Sequence, residues 1–167
     1  MRIAIVGATG EVGRTITKVL EERKVSPEAA DFYSSAKSAG SEIEFNGRPY
    51  TVKELTKEAM GAGYDYVFFS AGGAISGVYA PLAAEAGSVV IDNSSAFRME
   101  QAIPLVVPQI NGDLLQGYRG IVANPNCSTI QMVLGLYKIH GEYGLRTIVV
   151  STYQSVSGAG RSGIDEL

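Results

Sequence analysis

The stretch "RIAIVGATGEVG", residues 2–13, decides how the rest of the chain is read. Ile3 to Val6 is a short, continuous apolar run that stops at Gly7, the pattern of a strand buried on both faces of a parallel sheet. Gly7, Gly10 and Gly13 then follow at a G-x-x-G-x-x-G spacing. Val12, Ile16, Val19 and Leu20 recur at i, i+4, i+7 and i+8 and predict one helical face through Arg23. A glycine turn between a buried strand and an amphipathic helix has a specific use. Gly10 lets a pyrophosphate approach the backbone, and Gly13 lets helix and strand pack closely. The helix N-terminus adds free N–H groups and the positive end of its dipole. The turn is one residue longer than G-x-G-x-x-G, and a plain glycine turn is the simpler alternative, but the flanking strand and helix supply the context a dinucleotide site requires.

Outward from this unit the pattern repeats. "ADFYSS" (30–35), "DYVFFSA" (65–71), "SVVID" (88–92) and "GIVAN" (120–124) read as further strands. "EIEFNGRPYTV" (42–52) alternates around Asn46-Gly47 and predicts a hairpin. "KELTKEAM" (53–60) reads as a short helix, and Ser76 as the cap of a helix carrying Val78, Leu82, Ala83 and Ala86 and stopped by Gly87. Ile130, Val133, Leu134 and Tyr137 form a helical face after Cys127, and "RTIVVSTYQSV" (146–156) reads as a long strand. Strands alternating with helices predict an α/β, doubly wound, mostly parallel sheet, with ligands at the carboxyl ends of its strands. "SGAGRSGIDEL" reads as a loop and the first turn of a helix, so the chain is expected to be a fragment.

Composition narrows the classes of partner. With 167 residues the chain is one large domain, or one domain and part of another, and needs no disulfide or metal staple to bury a core. A net charge of −3 argues against nucleic acid or an anionic membrane as the main partner. The single cysteine excludes an intrachain disulfide and any multi-cysteine metal site. The N-terminal apolar run is too short for a signal peptide, and no stretch approaches the roughly 18–20 apolar residues of a membrane span, so a soluble, intracellular protein is expected.

The end of the second strand bears on which dinucleotide is bound. An NAD site places Asp or Glu there for the ribose 2′-hydroxyl. "YSSAKSAG" (33–40) offers Ser34, Ser35, Lys37 and Ser38 and no acid, a set that suits a 2′-phosphate and favours NADP, although an exposed loop lysine is also ordinary. "YSSAK" matches a Tyr-x-x-x-Lys pair, but Tyr33 and Lys37 straddle a strand end rather than adjacent turns of a long helix, so that reading is rejected.

Cys127 follows a strand and opens a helix in "ANPNCSTIQM" (123–132). A free cysteine is often a small buried hydrophobe. One at a helix N-terminus instead faces unpaired N–H groups and the dipole, a setting that favours a thiolate and can hold an oxyanion. "DNSSAFR" (92–98) supplies a polar loop with one cation, Arg98, which could fork onto phosphate or carboxylate or serve in a surface salt bridge. Gln154 lies near the presumed cleft or is simply a solvated strand residue. His140 lies 13 residues along the helix from Cys127, about 20 Å at 1.5 Å per residue, too far to exchange a proton with the thiol.

Together these motifs carry a family resemblance. "VGATGEVG", "SSAKSAG", "FFSAGG", "VIDNSSAFR", "PLVVPQIN", "NPNCSTIQM" and "VSTYQSVSGAG" span the chain nearly end to end, and it resembles the N-terminal part of the aspartate-semialdehyde dehydrogenases. N-acetyl-glutamyl-phosphate reductases use a different cysteine context, with glycine before and Tyr-Pro after. The resemblance implies a Rossmann-like NADP-binding domain over residues 1–126 and, from 127 to 167, the first strand of an incomplete α+β catalytic and dimerisation domain. It implies a cytoplasmic homo-oligomer (dimer or tetramer) in lysine, threonine and methionine biosynthesis, acting on aspartyl phosphate, aspartate semialdehyde and phosphate. Cys127 matches the nucleophile and Gln154 the residue that orients substrate. Arg98 matches the phosphate ligand, and Asn126 lines the same pocket. Gly7, Thr9, Gly10, Glu11, Val12 and Gly13 match the pyrophosphate loop, Lys37 and Ser38 the 2′-phosphate contacts, and Ser157 and Gly158 a second NADP contact. Lys37 departs from the arginine common in the family, keeping the charge but losing the planar fork. The acid–base histidine belongs to the family's later half. A non-catalytic dinucleotide-binding module is the alternative from another class.

Overall fold

The computed structural model describes residues 1–156 and Glu166. In chain order the elements are β1 (Arg2–Val6), α1 (Glu11–Glu22), β2 (Ala29–Ser34), β3 (Glu42–Phe45), β4 (Arg48–Thr51), β5 (Lys53–Glu54), α2 (Lys57–Met60), β6 (Tyr66–Phe69), α3 (Gly73–Glu85), β7 (Val89–Asp92), α4 (Pro108–Asn111), β8 (Ile121–Ala123) and α5 (Cys127–Tyr143). A six-stranded sheet runs in the order β5-β2-β1-β6-β7-β8, every pairing parallel. This is the doubly wound, Rossmann-like arrangement expected from the sequence. Strand order reverses between β1 and β6, which opens a crevice at their carboxyl ends, where residues 7–10 and 70–72 leave the sheet.

Alternation along each strand divides the core. Ala4 and Val6 face Tyr33, Val67, Phe69 and Val90 in a cluster closed by Met60, Tyr64, Ala80 and Ala83 of the α2–α3 side. Ile3 and Ile5 belong to the opposite cluster, with Phe32, Phe45, Val52 and the α1 residues Ile16 and Leu20. The hairpin β3–β4 turns at Asn46 and Gly47, whose φ values of 52° and 70° are those of a type I′ turn. It places Phe45 and Tyr50 against Phe32, with ring centroids 5.8 Å and 5.2 Å from Phe32.

One polar network lies at the edge of the first cluster, which it joins through Tyr33 and Tyr64. The Tyr64 hydroxyl donates to Asp31 Oδ2 at 2.7 Å and bonds the Tyr33 hydroxyl at 2.7 Å, while Lys53 Nζ sits 2.6 Å from Asp31 Oδ1. Burial pushes the Asp31 carboxyl up, but the Lys53 and Tyr64 hydrogen bonds and the charges of Lys53 and Arg2 outweigh it and hold the group below its ordinary value. Burial first, then the bonds to Tyr33 and Asp31, raise the Tyr64 phenol.

Several expectations need correction. The buried face of α1 carries Gly13 and Thr17 with Ile16 and Leu20 beside them, while Val12 and Val19 are about 40% exposed at 39% and 41%; the small residues sit inward because the helix lies close to the sheet. Residues 53–60 are not one helix. Lys53–Glu54 adds a parallel edge strand to β2, and Thr56 then caps a single turn by accepting the Ala59 N–H. Ser76 does not cap α3. The helix begins at Gly73 after Gly72, whose φ of 87° only glycine adopts readily, and Ser76 is buried inside it. The strand expected over 146–156 does not form among the described residues: Val149 and Tyr153 are 92% and 103% exposed, with no neighbouring strand to take their backbone groups. The loop and helical turn expected after it lie, Glu166 apart, outside the described residues.

Candidate active site

The glycine loop is built as the sequence anticipates, with the steric demand falling on its two ends. Gly7 has φ +80°, and a Cβ there would lie 2.8 Å from the Ser70 carbonyl carbon. At Gly13 a Cβ would lie 2.2 Å from Gly7 O, so only glycine lets α1 sit this close to β1. Gly10 is the extended N-cap residue of α1 and offers no side chain to its N–H groups. A Cβ at Gly10 would meet only Gly7 O, at 3.4 Å; that position is open rather than crowded. The loop is tied down by Gly7 and Ala8 N–H donating to Tyr33 O at 2.9 Å and 3.1 Å, by the Thr9–Ser34 hydroxyl pair at 2.8 Å and by Arg14 Nε on Thr9 O at 3.1 Å. An uncapped helix end beside a glycine turn, free of intruding side chains, fits a pyrophosphate. Glu11 in the first turn interacts favourably with the same dipole.

At the end of β2, the Ser34 hydroxyl bonds that of Thr9, so it joins this strand end to the loop. Residues 35–39 form a tight turn, closed by Ser38 N–H on Ser35 O at 2.9 Å, that leaves Lys37 exposed. Asp31 is engaged by Lys53 and Tyr64 on the α2–α3 side and supplies no acid at the strand end. Tyr33, of the rejected Tyr-x-x-x-Lys pair, is buried and bonded to Tyr64.

Cys127 is the first residue of α5 and is exposed. Asn126 is the cap: its Oδ1 accepts the N–H groups of Ser128 at 3.1 Å and Thr129 at 3.3 Å, and the Ser128 hydroxyl at 2.6 Å. A cleft of about 830 Å³ is lined by Glu11 and Val12 of α1, Cys127 and Ser128 of α5, and Gln154 with Thr152. Glu11 and Val12 of the sequence-predicted loop, Cys127 and Gln154 therefore share one cavity, which Gly7, Thr9, Gly10, Gly13 and Asn126 do not line; Gln154 sits in extended chain rather than in a strand. His140 lies in the last turn of α5, where its Nδ1 accepts the Leu145 N–H at 3.2 Å.

Arg98 is not among the cleft-lining residues. Its Nε donates to Asn124 O at 2.9 Å and its Nη2 to Asn93 O at 3.1 Å, which ties together the ends of β7 and β8. Asn124 Nδ2 donates to Asn93 Oδ1 at 2.5 Å, and Asn124 N–H to Asp92 O at 2.8 Å. Sequence reasoning missed this asparagine pair; its signal was that two adjacent strands, "VVIDN" and "IVAN", both end in asparagine. Ser157 and Gly158 lie outside the described residues.

Residues 2–118 match the family described as semialdehyde dehydrogenase, NAD binding domain. The chain is 53% identical over 168 residues to the aspartate-semialdehyde dehydrogenase of Aquifex aeolicus, covering 99% of this chain and 49% of that protein. It is 48% identical over 167 residues to that of Bacillus subtilis, covering 100% of this chain and 48% of that protein. The crystal structure of aspartate semialdehyde dehydrogenase II from Vibrio cholerae, complexed with ASA, superposes with a TM-score of 0.92 at 46% identity, over 99% of this chain and 49% of that one. The chain thus spans about half the length of the curated relatives it matches. The nicotinamide-dinucleotide fold, the crevice at the strand reversal and near-complete coverage at this identity lead to one conclusion: the chain belongs to the aspartate-semialdehyde dehydrogenase family.

Proposed function

We propose that this chain forms the cofactor half, and the nucleophile, of an enzyme that converts L-4-aspartyl phosphate to L-aspartate 4-semialdehyde with NADP. The carrying observation is the cleft in which Cys127 and Gln154 face the N-terminal turn of α1. Residues 1–126 bind the cofactor, and 127–167 open the catalytic and dimerisation domain. The Cys127 thiolate attacks the acyl-phosphate carbonyl carbon, the carbon–oxygen bond to phosphorus breaks, and phosphate leaves. The acyl group is then held as a thioester on Sγ, so one difficult displacement becomes two easier steps. NADPH, when bound, supplies a hydride. The carbon–sulfur bond then breaks, which frees the thiolate and the aldehyde.

Gln154 orients the acyl group at Sγ, Arg98 takes the departing phosphate, and Asn126, next to the nucleophile, contacts substrate while its Oδ1 fixes the first turn of α5. Thr9, Gly10, Glu11 and Val12 present the pyrophosphate loop, with Gly7 and Gly13 setting its shape. Lys37 and Ser38 meet the 2′-phosphate, and Ser157 and Gly158 the nicotinamide side. The absence of an acid at the end of β2 supports NADP over NAD. His140 is not the thiol's proton partner, because its ring nitrogen is engaged at the far end of α5. The complete protein acts as a cytoplasmic homo-oligomer in lysine, threonine and methionine biosynthesis.

The test is phosphate-dependent NADP reduction with aspartate semialdehyde, run on the complete gene product and on this chain alone. The complete protein is expected to turn over and this chain to bind NADP without turnover, since general acid–base help alone is worth about 10²–10⁴ in rate. Full activity in the 167-residue chain would refute the division of labour. NADP binding without turnover in the complete protein would favour the non-catalytic module.

A further inference from the structure

α5 begins with the nucleophile yet has no buried residue among its seventeen. Ile130, Val133 and Leu136 of α5 are only half-buried here, so the segment that leads into the helix contributes directly to the height and direction of Cys127. That chain is three residues long: Asn124, buried Pro125 and the cap Asn126. Proline fixes its own φ, and Asn126 fixes the first turn through Ser128 and Thr129. The remaining freedom lies at Asn124, where three bonds converge and a fourth, from Arg98 to Asn93, closes a ring. Its N–H donates to Asp92 O at 2.8 Å, its carbonyl accepts Arg98 Nε at 2.9 Å, its side-chain NH₂ donates to Asn93 Oδ1 at 2.5 Å, and Arg98 Nη2 closes the ring on Asn93 O at 3.1 Å. The base of the ring is rigid as well. Ser94 Oγ donates to the fully buried Asp92 at 2.7 Å and accepts the Ala96 N–H at 3.1 Å, which sets the turn that carries Arg98.

We propose that Asn93 and Asn124 form a positioning pair: their side-chain bond, closed by Arg98, locks the ends of β7 and β8 together and thereby places Cys127 Sγ for attack. Neither member of the pair is among the residues that line the cleft. It acts through three residues of backbone. The proposal rests on the nucleophile reading of Cys127, and it gives Arg98 a second role, since a guanidinium that holds two carbonyls is already oriented before any anion arrives. The effect is geometric: loss of the bond leaves Cys127 present but loosely aimed, and misplacement by about 1 Å can cost on the order of 10²-fold in rate.

The experiment is a double-mutant cycle in the complete gene product with N93A, N124A and the pair together, read three ways. Each single variant is expected to lower kcat about tenfold or more while KM for NADP stays within about twofold, and the double variant to be no worse than the worse single, because both remove one bond. The rate of Cys127 alkylation by iodoacetamide should change with the same pattern, and the melting midpoint should fall by no more than a few degrees. Additive effects on both kcat and alkylation would overturn the pair, as would single variants that alkylate and turn over like the parent. If the parent has no turnover with aspartate semialdehyde, the function reading fails, and the alkylation cycle still decides the pair by itself.

Discussion

Residues 1–126 and residues 127–156 follow opposite rules. In the first, six parallel strands and their helices bury two apolar clusters, with Phe32, Phe45 and Phe69 almost wholly excluded from water. In the second, a seventeen-residue helix forms with no buried residue, and Leu134, Tyr137, Ile139 and Tyr143 face outward. A helix satisfies its backbone internally and needs only a cap, which Asn126 provides. A strand must borrow partners from another strand, and among the described residues none lies beside residues 146–154, so they run extended without joining a sheet. Side chains there respond to local chemistry, whereas those of the sheet respond to one another.

The sharpest way to break this contrast is to truncate one apolar side chain to alanine in each region. Phe69→Ala is expected to lower unfolding free energy in urea by about 3–5 kcal/mol, whereas Leu134→Ala in the same chain should stay within about 0.5 kcal/mol. Equal losses would mean that α5 is packed. Next is Gly13→Ala, whose methyl would lie 2.2 Å from Gly7 O and so force α1 off the sheet; a cost of about 2–3 kcal/mol is expected, with NADP affinity lost by titration. Gly10→Ala, whose methyl finds 3.4 Å, should fold nearly as the parent does and weaken only the dinucleotide.

Smaller effects should follow the polar network. Tyr64→Phe removes a hydroxyl shared by Asp31 and Tyr33 and should cost about 1–2 kcal/mol. Asp31 carries a pH signature. Its folded-state pKa lies below the ordinary 3.8, so its contribution is present above that value and lost as pH falls through the lowered one. Asp31→Asn should therefore be less stable than the parent at pH 7, with the gap narrowing below about pH 4 when melting midpoints are compared. An unchanging gap would show that hydrogen bonding, not charge, holds the network. Smallest in global terms, Asn126→Ala should weaken α5 by about 1 kcal/mol, visible as faster amide exchange in its first turns while exchange in β1 and β6 is unmoved.

Legibility tracked the range of the forces involved. "RIAIVGATGEVG" announces a strand, a turn and a helix because each depends on neighbours within a few residues, and Asn46-Gly47 announces its hairpin for the same reason. Cys127 was readable as a helix-opening thiol because the cap and the strand lie beside it in sequence. The misreadings came where a partner distant in sequence decides. Lys53–Glu54 is a strand only because β2 offers an edge, Ser76 is interior only because Gly72 can take a positive φ four residues earlier, and 146–156 carries strand-forming residues that find no strand to join among the described residues. The Asn93–Asn124 contact joins residues 31 apart, and no local pattern requires it.

By itself the sequence determined the parallel-sheet class, the phosphate-type turn with Gly13 at its close approach, and the placement of the single cysteine at a helix start, since these follow from period, sterics and capping. Only the tertiary structure decided that α1, Cys127 and Gln154 share one cleft, and that Arg98 is tied to two strand ends. Which strand ends meet is fixed by the order and register of the sheet. That order follows from burying both faces of β1, β6 and β7 at once, a condition on the whole chain that no short stretch contains.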